Sequence, residues 1–524
     1  MRCRYAVAIP IERTEQSTLL FDKRFALMNR GHNVIVRRAR HLLHRLDHDL
    51  EYQSWRKEYI ALLKKEADQQ KKGLELSKDE LARKSRLSKL MGRRRQDIGL
   101  TKYGLEKYAT VWRKPHANHI ASHQMQKEAD RVWAGVEKVL FGNGKGIRFR
   151  RISDCRSIST KDPKNGICLD LQKMQFRWID KGSTYKCRDV SLKTAYFARA
   201  LFHEDGTPRE IAYCDIKRLM FPNGWHYYIV AYVRDEEPPA RKNGHGGGTE
   251  TAGIDPGTST VAVVGDSRAF LSELAPGAER YEKEIQVLQK RMDKSRRVNN
   301  PQNYNEDGTV KKGRPRWNNS KAYLQKRRMV QSLYRKRTAF IRTAHGQMVN
   351  RLLQLAKNAI VEKMDYAALA KKSKKTERRD KVSTIKTADG KEKEVRKFKR
   401  KKRFGHSLQR RSPSLFLSIL KKRIESAGGR YFEIQTRKFK ASQYDHVTNT
   451  CKRHGLKERW KDIGGQTVQR DLYSAYLIRH SNHAGTAPDR ASCIANFWKF
   501  RKIHNACIQE MREAHISKRE CFGF

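Results

Sequence analysis

An acidic residue ends an apolar strand in the segment ETAGIDPGTSTVAVVGD, and no other stretch restricts the second half of the chain as much. Ala252 to Asp255 reads as a strand, Pro256-Gly257 as a tight turn, and Val261 to Val264 as a second strand. Helical patterns follow, one around Ile285 to Met292 and one carrying Val330, Leu333, Ile341, Ala344, Met348, Leu352 and Leu355 on a single face. The polar loop NNPQNYNEDGTVKKGRPRWNN separates them, and Ala359 to Glu362 is again a strand. Strand, helix pair and strand make an α/β arrangement. A helix from Ser414 to Ala427, stopped by Gly428-Gly429, and a strand from Arg430 to Thr436 extend it.

Carboxylates are the scarce charge here. The 524 residues hold 114 Lys and Arg against 56 Asp and Glu, a formal net charge of +58. Such an excess, spread along the whole length, calls for a large polyanionic partner, and nucleic acid is the first candidate. A chain this long accommodates two to four domains, each with its own core. No apolar run approaches the roughly 20 residues of a membrane-spanning helix. The N-terminal MRCRYAVAIPIERTEQ has too short an apolar core for a secretory signal. The nine cysteines are scattered with no C-x-x-C pair, which agrees with an intracellular protein. Cys451 and His454 have ligand-like spacing, but a structural zinc site takes four donors and no second close pair accompanies them, so zinc is not expected.

Before the α/β segment the pattern changes twice. Tyr5 to Ile11 suits a strand, and from about Leu20 to Leu90 apolar residues such as Leu42, Leu43, Leu46, Leu50, Trp55, Tyr59, Leu62 and Leu63 recur at three- and four-residue steps. The mixed basic, aromatic and glycine-containing stretch from Met91 to His116 reads as a loop, either solvated over buried aromatics or offering aromatics for base stacking. From about Val139 the period falls to two, in runs such as Gly146 to Arg150, Cys168 to Leu171, Met174 to Trp178 and Trp225 to Val230. Turns at Asp205-Gly206 and Pro222-Asn223-Gly224 complete an antiparallel sheet or barrel. The Pro- and Gly-rich PPARKNGHGGGTET then marks the clearest domain boundary. Farther on, Lys371 to Arg403 is so basic and low in complexity that it is expected to be mobile, or ordered only on nucleic acid.

Three acids occupy mutually consistent settings: Asp255 and Glu362 at strand ends, and Asp471 opening the apolar helical pattern of VQRDLYSAYLI. Phosphodiester hydrolysis by the two-metal route uses such carboxylates to hold two Mg2+ ions roughly 4 Å apart. If the two strands are neighbours in one sheet, the three converge. Singly, each has an ordinary role open to it: a turn residue for Asp255, a strand-end Glu for Glu362, a helix N-cap for Asp471.

The motifs carry a family resemblance. GIDPGTSTVAVV, IVEKMDY and QRDLYSAYLI resemble, in order, the three motifs of the split RuvC nuclease domain of TnpB proteins and compact type V CRISPR effectors. SPSLFLSILKKRIESAGG and KASQYDHVT resemble the helix and the lead-in to that family's zinc ribbon. The resemblance covers roughly the C-terminal half, and the N-terminal half matches in layout only. It implies a multidomain α+β protein with a C-terminal RNase H-like (RuvC) α/β domain and an N-terminal β-barrel wedge domain holding an inserted α-helical recognition lobe. The implied segments are 1–18 for the first wedge strand, 19–135 for the recognition lobe, 136–238 for the barrel and 239–252 for a linker. Residues 253–436 and 471–524 form the nuclease domain, interrupted by a degenerate zinc-ribbon-like insertion at 437–470 that binds target nucleic acid.

The same resemblance makes Asp255, Glu362 and Asp471 the catalytic and Mg2+-binding residues of a single-site, RNA-guided DNA endonuclease. Its partners are a guide RNA, from a CRISPR array or a transposon, and double-stranded DNA with a short flanking motif. Its setting is the cytoplasm, of a prokaryote. Arg470 either touches the scissile phosphate or pairs with a carboxylate, and Lys399, Arg400, Lys401, Lys402 and Arg403 are candidate nucleic-acid contacts. Two departures stand out: only Cys451 remains of the ribbon's cysteines, and Asp-Leu-Tyr-Ser-Ala replaces the usual Asp-x-Asn-Ala after the third acid. Alternatives are a guide-directed DNA-binding protein without cleavage, a cut-and-paste transposase or a transposase-associated protein, a junction resolvase, and an actin-like ATPase, whose further glycine-rich loops are missing here.

Overall fold

The computed structural model describes residues 3–71, 73–142, 144–161, 166–179, 184–187, 195–235, 247–313, 315–370, 378–386, 392–398, 405–453, 455, 458–516, 518 and 521–524. The chain is mixed α+β and divides into two units, residues 1–240 and 241–524.

The first unit opens with β1 (Cys3–Pro10), followed by α1 (Glu15–Asp47), α2 (Leu50–Lys71), α3 (Lys78–Asp97), α4 (Lys102–His116) and α5 (Ser122–Phe141). Val7, Ile9 and Ile11 are buried while Ala6 and Ala8 are exposed, the period-two signature of a strand with one face on a core. Thr14 and Ser17 form a capping box that starts α1. That helix buries Phe21, Phe25, Met28, Ile35, Ala39, Leu42 and Leu46 along one stripe. The polar α2 and α3 are joined by ion pairs, Arg83 to Glu58 at 2.7 Å and Arg94 to Glu51 at 3.0 Å among them. Met91 to His116, read from sequence as a loop, is helical on both sides of Gly99, whose φ of 76° lets the chain turn between α3 and α4.

Short strands β2 (Ser157–Ser159), β3 (Ile167–Asp170), β4 (Gln175–Trp178) and β5 (Thr184–Lys186) come next, then α6 (Ala195–Leu201), β6 (Ile211–Phe221) and β7 (Gly224–Asp235). They form a four-stranded antiparallel sheet, β1-β7-β6-β2, and a three-stranded one, β3-β4-β5. An isolated bridge from Ile11 to Cys187 is the pairing described between them. Among the described residues the strands pair as these two sheets, and closure into a barrel is not traced. Gly146 to Arg150 is not a strand either: the Asn33 side chain bonds both the Arg150 N–H (2.8 Å) and its carbonyl (2.9 Å), taking the place of a ladder.

The second unit is built on a five-stranded sheet. Its members are β8 (Glu250–Pro256), β9 (Thr260–Val264), β10 (Ala269–Glu273), β11 (Ala356–Glu362) and, later, a strand at Tyr431–Ile434. Because β8 begins at Glu250, the last residues of the stretch read as linker belong to the sheet. A helical hairpin, α7 (Arg280–Asn299) and α8 (Lys321–Leu355), links β10 to β11. After β11 come α9 (Tyr366–Ala370), the paired strands β12 (Arg378–Lys386) and β13 (Glu392–Phe398), then α10 (Gly405–Arg411) and α11 (Pro413–Ser426), which leads to the Tyr431–Ile434 strand, β14. Within the basic stretch 371–403, the described residues Arg378–Lys386 and Glu392–Phe398 pair as an antiparallel hairpin, β12-β13.

The strand order is β10-β9-β8-β11-β14, with β8 to β10 an antiparallel meander and β11 parallel to both β8 and β14. Both faces are covered. Ile254, Val261, Val263 and Phe270 pack with Leu352 and Leu353 of α8 and Phe416, Leu420 and Ile424 of α11. On the opposite face Ala262, Val264 and Leu271 meet the C-terminal helices. These follow α12 (Thr436–Phe439) and two small hairpins, β15 (Tyr444–Asp445) with β16 (Thr450–Cys451) and β17 (Trp460–Ile463) with β18 (Gln466–Gln469). The helices are α13 (Arg470–Arg479) and α14 (Arg490–Glu513). No described helix is long and apolar enough to cross a membrane.

Candidate active site

Ile254 of β8 lies opposite Val361 of β11 in a parallel pairing, so Asp255 and Glu362 emerge side by side at the same edge of the sheet. The chain leaves β8 toward β9 on one side and β11 toward β14 on the other, and such a reversal opens a crevice at the carboxyl ends of the strands. The two carboxyl groups share a hydrogen bond. Asp255 keeps some surface in solvent, but its carboxyl has lost much of its hydration. That desolvation, with the negative charges of Glu362 and Asp471, pushes its pKa well above the usual carboxylate range. Burial likewise raises Glu362.

Asp471 reaches the same field from the first turn of α13. It is not the N-cap: the Gln469 side chain takes that place and accepts from the Leu472 N–H at 2.9 Å. The approach of α13 depends on Gly253. A Cβ at that position would lie 2.1 Å from the Ala475 carbonyl oxygen and 2.5 Å from the Arg479 nitrogen. A glycine two residues before the first acid therefore sets how closely the helix bearing the third can lie on β8.

Two arginines hold Asp471. Arg470 bonds one carboxylate oxygen at 3.2 Å and anchors itself on the Glu458 carbonyl at 2.8 Å, while Arg459 reaches the other oxygen at 3.3 Å. Of the two roles open to Arg470 from sequence, the contacts made are those of a carboxylate partner. Sequence reasoning missed Arg459, twelve residues before its partner and in no motif. It also missed Tyr366, whose hydroxyl donates to the Pro256 carbonyl at 3.1 Å and whose pKa is raised by burial and then by Asp255 and Glu362. Its signal was its place in IVEKMDY.

The remaining candidates do not join this group. Lys399 to Arg403 lie outside the described residues, as does His454, and Cys451 is exposed on β16. The small hairpins are held by burial of Ile463 and Val468 in the core and by polar contacts: the buried Tyr473 hydroxyl meets His446 Nδ1 at 2.7 Å, and Lys461 Nζ donates to the Ser442 carbonyl at 2.7 Å.

Among the described residues no group of three or more His, Cys, Asp or Glu stands arranged as a metal site. The donor chemistry nevertheless fits a hard divalent cation: oxygen ligands only, with a buried carboxyl destabilised by two like charges that a cation would neutralise.

No family model matches the chain, and no curated protein matches it significantly. Among solved structures it is similar to a chain of a Cas12f1–sgRNA–target DNA complex, at 8% identity over 91% of this chain and 99% of that one, with a TM-score of 0.43. A CRISPR-Cas12f ternary complex matches at 9% identity over 90% and 98% of the two chains, with a TM-score of 0.23. Both scores fall below 0.5, where likeness does not establish a shared fold.

Proposed function

We propose that the chain is an RNA-guided DNA endonuclease with one Mg2+-dependent active site formed by Asp255, Glu362 and Asp471. The observation that supports the reading is that Asp255 and Glu362 stand side by side at the carboxyl edge of β8 and β11, with the charge of Asp471 near enough to raise the Asp255 pKa. Carboxylates within reach of one another's charge disfavour each other's ionised form unless a cation joins them. Bound there, Mg2+ would activate water and neutralise charge on the leaving oxygen. The protein's own part is to present oxygens from two rigid strand ends, and to fix Asp471 through Arg459 and Arg470.

In this reading residues 253–436 and 471–524 are a RuvC-like nuclease domain, and 437–470 a target-binding insertion without zinc. The first unit supplies the wedge and recognition elements that grip guide RNA and the duplex beside a short flanking motif. The guide gives sequence specificity through base pairing, while the basic surface neutralises the backbones. A non-cleaving, guide-directed DNA-binding protein is favoured by one observation, the occupation of both Asp471 oxygens by arginines.

Sequencing the RNA that co-purifies with the protein, and titrating the complex with Mn2+ as a spectroscopic substitute for Mg2+, test the proposal together. It expects one discrete guide-like RNA, and Mn2+ binding that Asp255→Ala or Asp471→Ala weakens at least tenfold. Random RNA fragments would remove guidance; Mn2+ binding indifferent to both substitutions would remove the metal centre.

A further inference from the structure

Tryptophan is seldom left in water, since burying its ring is among the largest single apolar gains a side chain offers. Of the eight tryptophans here, Trp498 alone is exposed, with 63% of its surface open; the rest are buried or half-buried. It lies on α14. That helix sends Cys493, Phe500, His504, Cys507, Ile508 and Met511 into the core, and this leaves Trp498 on its solvent side with Ile494, itself 53% exposed, one turn before it. The fold does not need the ring where it is.

Its surroundings indicate what it meets. Ala491 and Ala495, both exposed, are too small to cover the ring from the preceding turns. Arg501 and Lys502 follow at the next turn, and Lys499 Nζ stands 5.6 Å from the ring centroid. The nearest acid farther along α14 is Glu510, three turns away and paired with Arg268 at 2.9 Å. An open aromatic face among cations, with no neighbouring carboxylate on the following turns, complements a base and its phosphates. Stacking on such a platform tolerates any base, because every base has a π-face.

We propose that Trp498 is a stacking platform for an unpaired base of single-stranded nucleic acid, with Arg501 and Lys502 neutralising the adjoining phosphates. The proposal rests on the reading of nucleic acid as partner and is independent of cleavage. A duplex hides its base faces, so the platform selects a single strand.

The test uses the full-length protein and a fluorescein-labelled dT20 oligonucleotide, at raised salt to suppress background binding through the basic surface. Trp498→Ala is expected to weaken binding about tenfold at unchanged melting temperature, and Trp498→Phe to restore most of the loss. A 5-iododeoxyuridine oligonucleotide is expected to photo-crosslink to the peptide containing Trp498. Equal affinity for wild type and Trp498→Ala, with crosslinks confined to other peptides, overturns the proposal. So does a Trp498→Ala protein that changes its sedimentation but not its affinity, which would assign the face to a second copy of the chain. If the wild type fails to bind any oligonucleotide, the nucleic-acid reading falls and the platform with it.

Discussion

At the scale of single residues, the three proposed acids stand out in the sequence because each ends or opens an apolar run in a chain short of carboxylates. Their helpers were not. Arg459 acts across twelve positions through a side-chain contact, and Tyr366 through a hydroxyl folded back onto the turn after Asp255. Neither relation has a periodic signature. Gly253 is the clearest case of a residue whose reason is three-dimensional: as part of a strand it looks replaceable, yet α13 lies so close that even a methyl group meets backbone. Gly253→Ala is expected to cost about 3 kcal/mol or more, because the obstacle is the Ala475 carbonyl and not a flexible side chain. Chemical denaturation measures it, and a loss below 1 kcal/mol would mean that α13 adjusts freely.

Among elements, β8, β9, β11 and β14 could be read because they are short apolar runs bounded by turn residues, and α8 because its apolar face repeats over many turns. β10 escaped, being five residues with no alternation to mark it. The helices on either side of Gly99 were read as loop because glycines and basic residues diluted their periodicity, and packing overrode that local impression. The second unit also holds a pH-dependent weakness invisible in sequence. Burial lowers the pKa of His345, His446, His480 and His504, that of His480 to about 4 under the added influence of Arg479. The unfolded chain takes up these protons near pH 6.5, whereas the folded one resists until lower pH, so stability is full above 6.5 and declines below it. His480 alone contributes at most ~3 kcal/mol to this loss, less after solvent screening. Unfolding midpoints followed from pH 7.5 to 4.5 are expected to fall continuously from about 6.5. A flat profile to pH 4.5 would show that these histidines titrate normally.

For the whole molecule, composition pointed to nucleic acid, and the Pro- and Gly-rich stretch at 238–251 includes the point where the chain divides into its two units. The pairing within the first unit was less accessible. β1 joins β7 across more than two hundred residues, and such pairings depend on which strands are long enough to find one another. The central claim is that this basic molecule carries a single metal-dependent site for cutting DNA, directed by bound RNA. Its most direct test is single-turnover cleavage, in Mg2+, of a DNA duplex matching the co-purified RNA, with wild type and Asp255→Ala compared at equal DNA occupancy. The wild type is expected to cut the matched duplex and spare an unmatched one. Asp255→Ala is expected to bind equally but cleave at least about a thousandfold more slowly, the loss of several kcal/mol of charge stabilisation. Equal cleavage by both proteins, or no cleavage by the wild type on a bound and matched duplex, would contradict the account.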